Sequence, residues 1–375
     1  MIYLDYAAST PVSEEALEAF SQLSRHYFAN ASSLHDLGTQ TDAVVSYAKR
    51  YLAQLLDTTS DEVFFTDSGS HSNIYALLSL AKALPKNKNH ILMSQMEHSS
   101  VFSAAQMLRE QGFWVESIAP NASGEIDEQC LSNALREETG LVSIQHVNSE
   151  TGIIQPLARL CPILKRSGIT VHCDAVQSFS KLDVSHTKLG ADAITLAGHK
   201  VYAPKGVGVV SFSKNVPWQS VYSGNHQQHG FYPGTLNAPL IGAFVASCEQ
   251  LWPKREKINA HLQNLRAQLV TQIRSRELPI ELFDDKRGAI LPGIFGAFYQ
   301  GLQGQYVMLE SNRHGVCIAT GSACRVGLDE ISPTLKALGY SAEKAAQFFR
   351  ASFGKDTQLS EITAFVDVLE QLRPT

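Results

Sequence analysis

Residues 171–200 read VHCDAVQSFSKLDVSHTKLGADAITLAGHK, and two short apolar runs frame them. The first, Ile169-Thr170-Val171-His172-Cys173, is rich in β-branched residues and ends on Asp174. The second, Ala193-Ile194-Thr195-Leu196-Ala197, ends on Gly198-His199-Lys200. Both read as strands, so a carboxylate stands at one strand end and a lysine at another nearby. Each is costly to hold out of water unless something pairs with it. An aromatic aldehyde cofactor with a ring nitrogen would occupy both, the lysine as its imine partner and the acid against the protonated ring. A helix-capping aspartate and a solvated lysine account for the same residues without a ligand, and the stretch alone leaves both readings open.

Outward from this stretch, the pattern alternates between β and α. Upstream, Val63-Phe64-Phe65-Thr66 reads as a strand, Asp67-Ser68-Gly69-Ser70 as a tight turn and Asn73–Ala83 as a helix. Strands follow at His90–Ser94, Trp114–Ala119 and Leu141–Val147, alternating with helices at Ser99–Gln111, Asp127–Glu137 and Pro156–Ser167, the last with proline in its first turn. Val207–Phe212 is a further strand. Strands alternating with helices of this length predict a mainly parallel sheet covered on both faces. Ligands of such sheets sit beyond the carboxyl ends of the strands. Ser70, His98, Ser149, Asp174 and Lys200 all fall just after a predicted strand.

Before this region, Ile2-Tyr3-Leu4 reads as a short strand, Ser13 before Glu14-Glu15 starts a helix, and a long amphipathic helix runs to about Leu56. Beyond Cys248 the alternation stops. A helix at Lys257–Arg276, a β-like Gly293–Phe298, a strand at His314–Ala319 and helices near Ser341–Phe349 and Ser360–Leu372 predict a second, smaller α+β unit. The expected division is a large domain over 14–250 and a small one built from 251–375 with 1–13.

Composition narrows the function classes. With 375 residues, 44% hydrophobic and 18% charged, the chain is an ordinary globular mix. A net charge of -5 and no basic cluster argue against a nucleic-acid partner. There is no apolar run of bilayer length, no basic n-region after Met1, and no CxxC among six cysteines. The expectation is a soluble cytoplasmic protein with free thiols, no membrane contact and no metal site.

Several further residues could carry chemistry. Gly69-Ser70 lies between a strand and a helix, where backbone N–H groups and the helix dipole favour an anion. No GxxxxGK[ST] occurs, which excludes a nucleotide P-loop. His98 could lie on an aromatic cofactor and relay protons, and His199 could brace a phosphate; a lone histidine is more often structural, but two beside a candidate imine lysine leave both readings open. Cys324, in Ala319-Thr320-Gly321-Ser322-Ala323-Cys324-Arg325-Val326-Gly327, sits among small residues beside an arginine, the setting of an exposed nucleophilic thiol. The other five cysteines lie in strand or helix pattern and read as buried and inert. Arg350, after Phe348-Phe349, is a cation in an apolar frame, suited to bidentate carboxylate capture rather than to a surface ion pair.

With these residues in view, the chain resembles the cysteine desulfurases, pyridoxal-phosphate enzymes of the class V aminotransferase group with fold-type I architecture. The likeness rests on YLDYAASTPV, ANASSLHDLG, EHSSV, HVNSETGIIQP, VHCDAVQSFSKL, GHKVYAPKGVG, PGTLN, ATGSAC and FRASFG, which occur in the family's order across nearly the whole chain. It implies pyridoxal 5'-phosphate as cofactor, with Lys200 bonded to it, Asp174 on the ring nitrogen, Gln177 on the ring hydroxyl and His98 stacked on the ring. Gly69, Ser70 and His199 would form the phosphate cup, with Thr235 reaching in from the second subunit of a homodimer. Arg350 and Ser149 would meet the substrate carboxylate. Cys324 would take sulfur from L-cysteine as a persulfide, leave alanine, and pass the sulfur to an acceptor protein, as in iron–sulfur cluster assembly.

The chain departs from the family at identifiable points. Ser149 stands where a second Asn is usual, and Ala197 replaces the serine before Gly-His-Lys. Ser70-His71 replaces Thr-Glu, Ser68 a glycine, and Tyr232-Pro233 an Arg-Ser pair. Ala197 alone removes a phosphate hydrogen bond on the order of 1.5–3 kcal/mol. Lys200, Asp174 and Cys324 are untouched. The changes bear on the substrate, so a selenocysteine lyase, a cysteine sulfinate desulfinase, or a non-catalytic homologue that binds a partner are the competing expectations.

Overall fold

The computed structural model describes residues 1–283, 288–320 and 331–373. It opens with β1 (Ile2–Tyr3), α1 (Glu14–His26) and α2 (Asp36–Leu56). The alternating region follows: β2 (Val63–Thr66), α3 (Gly69–Lys82), β3 (His90–Ser94), α4 (Ser99–Glu110), β4 (Trp114–Ile118), α5 (Glu128–Ala134), β5 (Thr139–Ser143) and α6 (Leu157–Arg166). It continues with β6 (Thr170–Asp174), α7 (His186–Leu189), β7 (Ala193–Ala197), β8 (Gly208–Phe212) and α8 (Ala238–Leu251). The last third holds α9 (Arg255–Ser275), β9 (Ile280–Leu282), β10 (Ile294–Tyr299), α10 (Gly304–Arg313) and β11 (Val316–Cys317). It ends with α11 (Pro333–Ala337), α12 (Ala342–Ala346), β12 (Phe348–Ser352) and α13 (Leu359–Gln371).

Seven strands form one sheet in the order β2-β8-β7-β6-β5-β3-β4. The pairs from β7 through β4 are parallel, and only β8 runs the other way, between β2 and β7. Since β2 and β7 both oppose β8, the carboxyl ends of β2, β7, β6, β5 and β3 share one edge. The strands are apolar on both sides because both faces are covered. Phe65, Leu92, Val142, Val171, Cys173, Ile194 and Val209 pack with α2, α6 and α8. Their neighbours Phe64, Ile91, Met93, Leu141, Ala193 and Val210 pack with α3 and α4. Burying one such Phe contributes about 1.5–3 kcal/mol.

A separate core forms from α9, α13 and the three-stranded antiparallel sheet β12-β10-β9. The N-terminus belongs to it. Leu4 lies in this core, and β1 pairs in parallel with β11. Beyond β1, the chain crosses to the large sheet through Ala7 and Ala8, whose neighbours are taken up below.

Some elements differ from the sequence reading. Residues 348–352 form a strand, not the end of a helix: α12 stops at Ala346, and five buried residues then pair with β10. A short apolar run carries no periodicity that separates the two states. The strand expected at His314–Ala319 is ordered as β only at Val316–Cys317, and β5 ends at Ser143 rather than Val147. Pro156 sits at the N-cap of α6, one residue before its first turn. The helix α8 was not among the predicted elements. Ser13 does cap α1, its side chain accepting from Ala16 N–H.

Candidate active site

The shared strand edge opens on a cavity of about 250 Å³. Ser68, Gly69, Ser70, His98, Ser149, Asp174, Gln177, His199, Lys200 and Arg350 all line it. Asp174 is the last residue of β6 and is buried. Its Oδ1 accepts from Val176 N–H at 3.0 Å and its Oδ2 from the Asn73 amide at 2.7 Å. Two donors on one carboxylate hold it in place as an acceptor.

Asn73 extends this contact further. It is buried on α3, accepts from the Thr195 hydroxyl at 2.5 Å, and donates to Ser100 Oγ at 3.0 Å. Ser100 Oγ lies 2.8 Å from His98 Nδ1, and Ser100 N–H donates to the same nitrogen. A nitrogen that accepts from an N–H carries no proton, so the neutral imidazole of His98 bears its hydrogen on Nε2. Burial pushes the pKa of His98 down; Asp174 draws it back up, and Lys200 opposes that. Asn73 and Ser100 were not singled out in the sequence. A polar residue in a helical pattern gives no sign of facing inward, and only its position four after Gly69, at the helix start, hinted at it.

Lys200 follows β7 and donates to the carbonyls of Ala7 at 2.6 Å and Ala8 at 2.8 Å. The Gln177 amide donates to the same Ala7 carbonyl at 2.8 Å, leaving its Oε1 buried without a partner. His199 Nδ1 is likewise buried and unpartnered. Burial depresses the His199 pKa to about 4, with Lys200 adding to the effect. Next to His98 in sequence, Glu97 is buried: its Oε1 accepts from Gln145 N–H at 2.7 Å, and burial together with Asp174 raises its pKa well above the usual range.

Arg350 lies in β12, 1% exposed. Its guanidinium donates to the Ser149 carbonyl at 2.9 Å and to Asp5 Oδ1 at 2.6 Å, and its Nε has no partner. The backbone of Ser149, not only its side chain, therefore belongs to the site. Asp5 was not anticipated. It comes from the N-terminal segment, 345 residues away in sequence.

One predicted residue is not in this cavity. Thr235 is exposed and lines a surface hollow with Asp67, Gly206 and Tyr232. Cys324 lies outside the described residues. Of the cysteines read as buried, Cys161, Cys173 and Cys248 are so, whereas Cys130 and Cys317 are half-buried, near helix or strand edges. Beside the phosphate-cup candidates, two of the departing residues bond each other. The Tyr232 hydroxyl donates to Asp67 at 2.8 Å and lies 2.8 Å from His71 Nδ1. Among the described residues no group of three His, Cys, Asp or Glu could hold a metal, and no helix is long and apolar enough to cross a membrane.

Comparison with known proteins follows the same lines. The profile described as Aminotransferase class-V matches residues 2–365. A protein of Bacillus subtilis (strain 168) named "Putative cysteine desulfurase NifS" is 45% identical, with 96% of this chain and 92% of that one covered. The solved structure of a NifS-like protein superposes with a TM-score of 0.90 at 26% identity, covering 99% and 98% of the two chains. A second structure, SspA in complex with cysteine, superposes with a TM-score of 0.81 at 29% identity, covering 94% and 99%.

Proposed function

The chain belongs to the class-V aminotransferase family, and from that premise we propose that it is a pyridoxal 5'-phosphate-dependent cysteine desulfurase. It takes sulfur from L-cysteine, releases L-alanine and carries the sulfur as a persulfide on Cys324. The observation that carries this reading is the meeting of Asp174, Lys200 and Arg350 around one cavity, an acid, an amine and a carboxylate-binding cation drawn from β6, the end of β7 and β12.

The residues present fit the cofactor. Asp174, already held by two donors, has lone pairs left for a protonated ring nitrogen. Gln177 Oε1 and His199 Nδ1 are buried polar atoms without protein partners, as expected of groups that meet a ligand. At Gly69 a Cβ would lie 2.9 Å from Ala197 Cβ, so only glycine lets the turn close on the end of β7. The first N–H groups of the 14-residue α3 then stand at the cavity edge, where an anion is favoured.

When bound, the cofactor supplies an aldehyde that condenses with an amine and a ring that draws electrons from the substrate Cα. The remaining work belongs to the chain. Lys200 is the amine and then the base that takes the Cα proton. His98, neutral and with its hydrogen on Nε2, would meet the cofactor from its place in the cavity lining. Arg350 receives the substrate carboxylate. The Cys324 thiolate attacks the substrate sulfur, so that an S–S bond forms as the Cβ–S bond breaks. The electron pair left on the carbon side takes up a proton to give alanine. Thr235 of a second copy completes the phosphate site in a homodimer, and the persulfide passes to an acceptor protein.

The test is a visible spectrum of the purified protein before and after L-cysteine, with alanine assayed in the same tube. The native protein should be coloured and release alanine. Lys200→Ala should be colourless and inactive. Cys324→Ala should keep the colour and hand no sulfur to an acceptor; transfer that survives this change would remove the nucleophile assignment.

A further inference from the structure

Which amino acids the site admits depends on the charge around Arg350, a question that rests on the reading just given. Arg350 lines the cavity, yet its cation is already balanced by Asp5 at 2.6 Å. The pair is well removed from solvent: the arginine side chain is 2% exposed and the aspartate 20%. One further N–H is committed to the Ser149 carbonyl, which leaves the Nε–H and the second hydrogen of each terminal nitrogen as donors. An incoming α-carboxylate therefore finds hydrogen bonds but little net positive charge.

The other described groups lining the cavity offer no second cation site. Lys200 is committed to the reaction as its amine. His98 and His199 are held toward the neutral form by burial. Asp174 carries a negative charge of its own. A substrate bearing a carboxylate or sulfinate on its side chain would place a second anion where none of the other described lining groups is a fixed cation free to receive it, and unpaired buried charge is strongly disfavoured.

We propose that Asp5 is a specificity-determining residue: by neutralising Arg350 it restricts the site to amino acids with an uncharged side chain and turns away those with a second anionic group. Asp5 acts through Arg350 and so is a positioning residue, not a catalytic one.

The test uses L-asparagine and L-aspartate, which match in shape and differ in charge. Their binding to the holoenzyme is read by calorimetry and by the change in the visible band. The native enzyme should bind asparagine at least tenfold more tightly. Asp5→Asn keeps an acceptor oxygen for Arg350 while removing the charge, and should shrink that preference about tenfold; Asp5→Glu should preserve it. Aspartate binding as tightly as asparagine to the native enzyme overturns the proposal, with no variant required to fold. So does an Asp5→Asn protein that weakens both ligands by the same factor, the signature of a purely structural ion pair. Alanine release from L-cysteine is followed in the same preparations. Its absence would remove the desulfurase reading while the charge comparison still decides the role of Asp5.

Discussion

At the scale of the residue, Asp174 depends on Asn73. The amide is the donor on Oδ2 and also the link to Ser100 and His98, so one side chain fixes the acid and, at one remove, the imidazole. A hydrogen bond to a charged group contributes about 1.5–3 kcal/mol. Asn73→Ala should therefore weaken cofactor retention about ten- to a hundredfold, measured as cofactor release on dialysis. The strand-end positions of Asp174, Lys200 and His98 could be read from the sequence, because a polar residue that closes an apolar run stands out. Asn73, Ser100 and Asp5 could not. Their neighbours in sequence are ordinary helix, turn and strand residues, and what distinguishes them is the distant group each one faces.

At the scale of the element, α3 matters most because its first turn forms the cavity edge. Ser68 caps it, the side chain accepting from His71 N–H at 3.2 Å. Ser68→Ala should cost about 1 kcal/mol of stability, read from a denaturant midpoint. The strand β12 teaches a different lesson. Reading Phe348 and Phe349 as the end of a helix placed Arg350 on no particular face. In the strand, Phe349 and Ala351 enter the core with α9 and α13, while Phe348 points to a separate cluster. Alternation then puts Arg350 on the side opposite that core, where the cavity lies. The β/α alternation of the large sheet was legible because short, continuous apolar runs give way to helical patterns across turn residues. The smaller core was harder, since its strands are short, distant in sequence and paired antiparallel.

At the scale of the whole molecule, buried histidines set the response to acid. Burial depresses the pKa of His146 to about 4, of His172 to about 3 and of His186 to about 4. Their unfolded value is near 6.5. Between these limits the unfolded chain binds more protons, so folding stability is full above about pH 6.5 and is lost as pH falls toward the folded-state values. For His146 alone the difference is about 3 kcal/mol at roughly 1.4 kcal/mol per unit. Denaturant midpoints should therefore fall steadily from pH 6.5 to pH 4. A flat profile over that range would mean that these rings are charged in the native state.

The thread of chain from Leu4 to Ala8 has a consequence in time. Asp5 meets Arg350, and the carbonyls of Ala7 and Ala8 receive Lys200. During synthesis Asp5 is made well before its partner, and the arginine follows 345 positions later, roughly 20–70 s at ordinary elongation rates. Until then the large sheet can form, while Asp5 waits for its counter-ion. The pocket is thus closed by segments made early and late, and a nascent chain cut short anywhere before β12 lacks the clamp for its substrate.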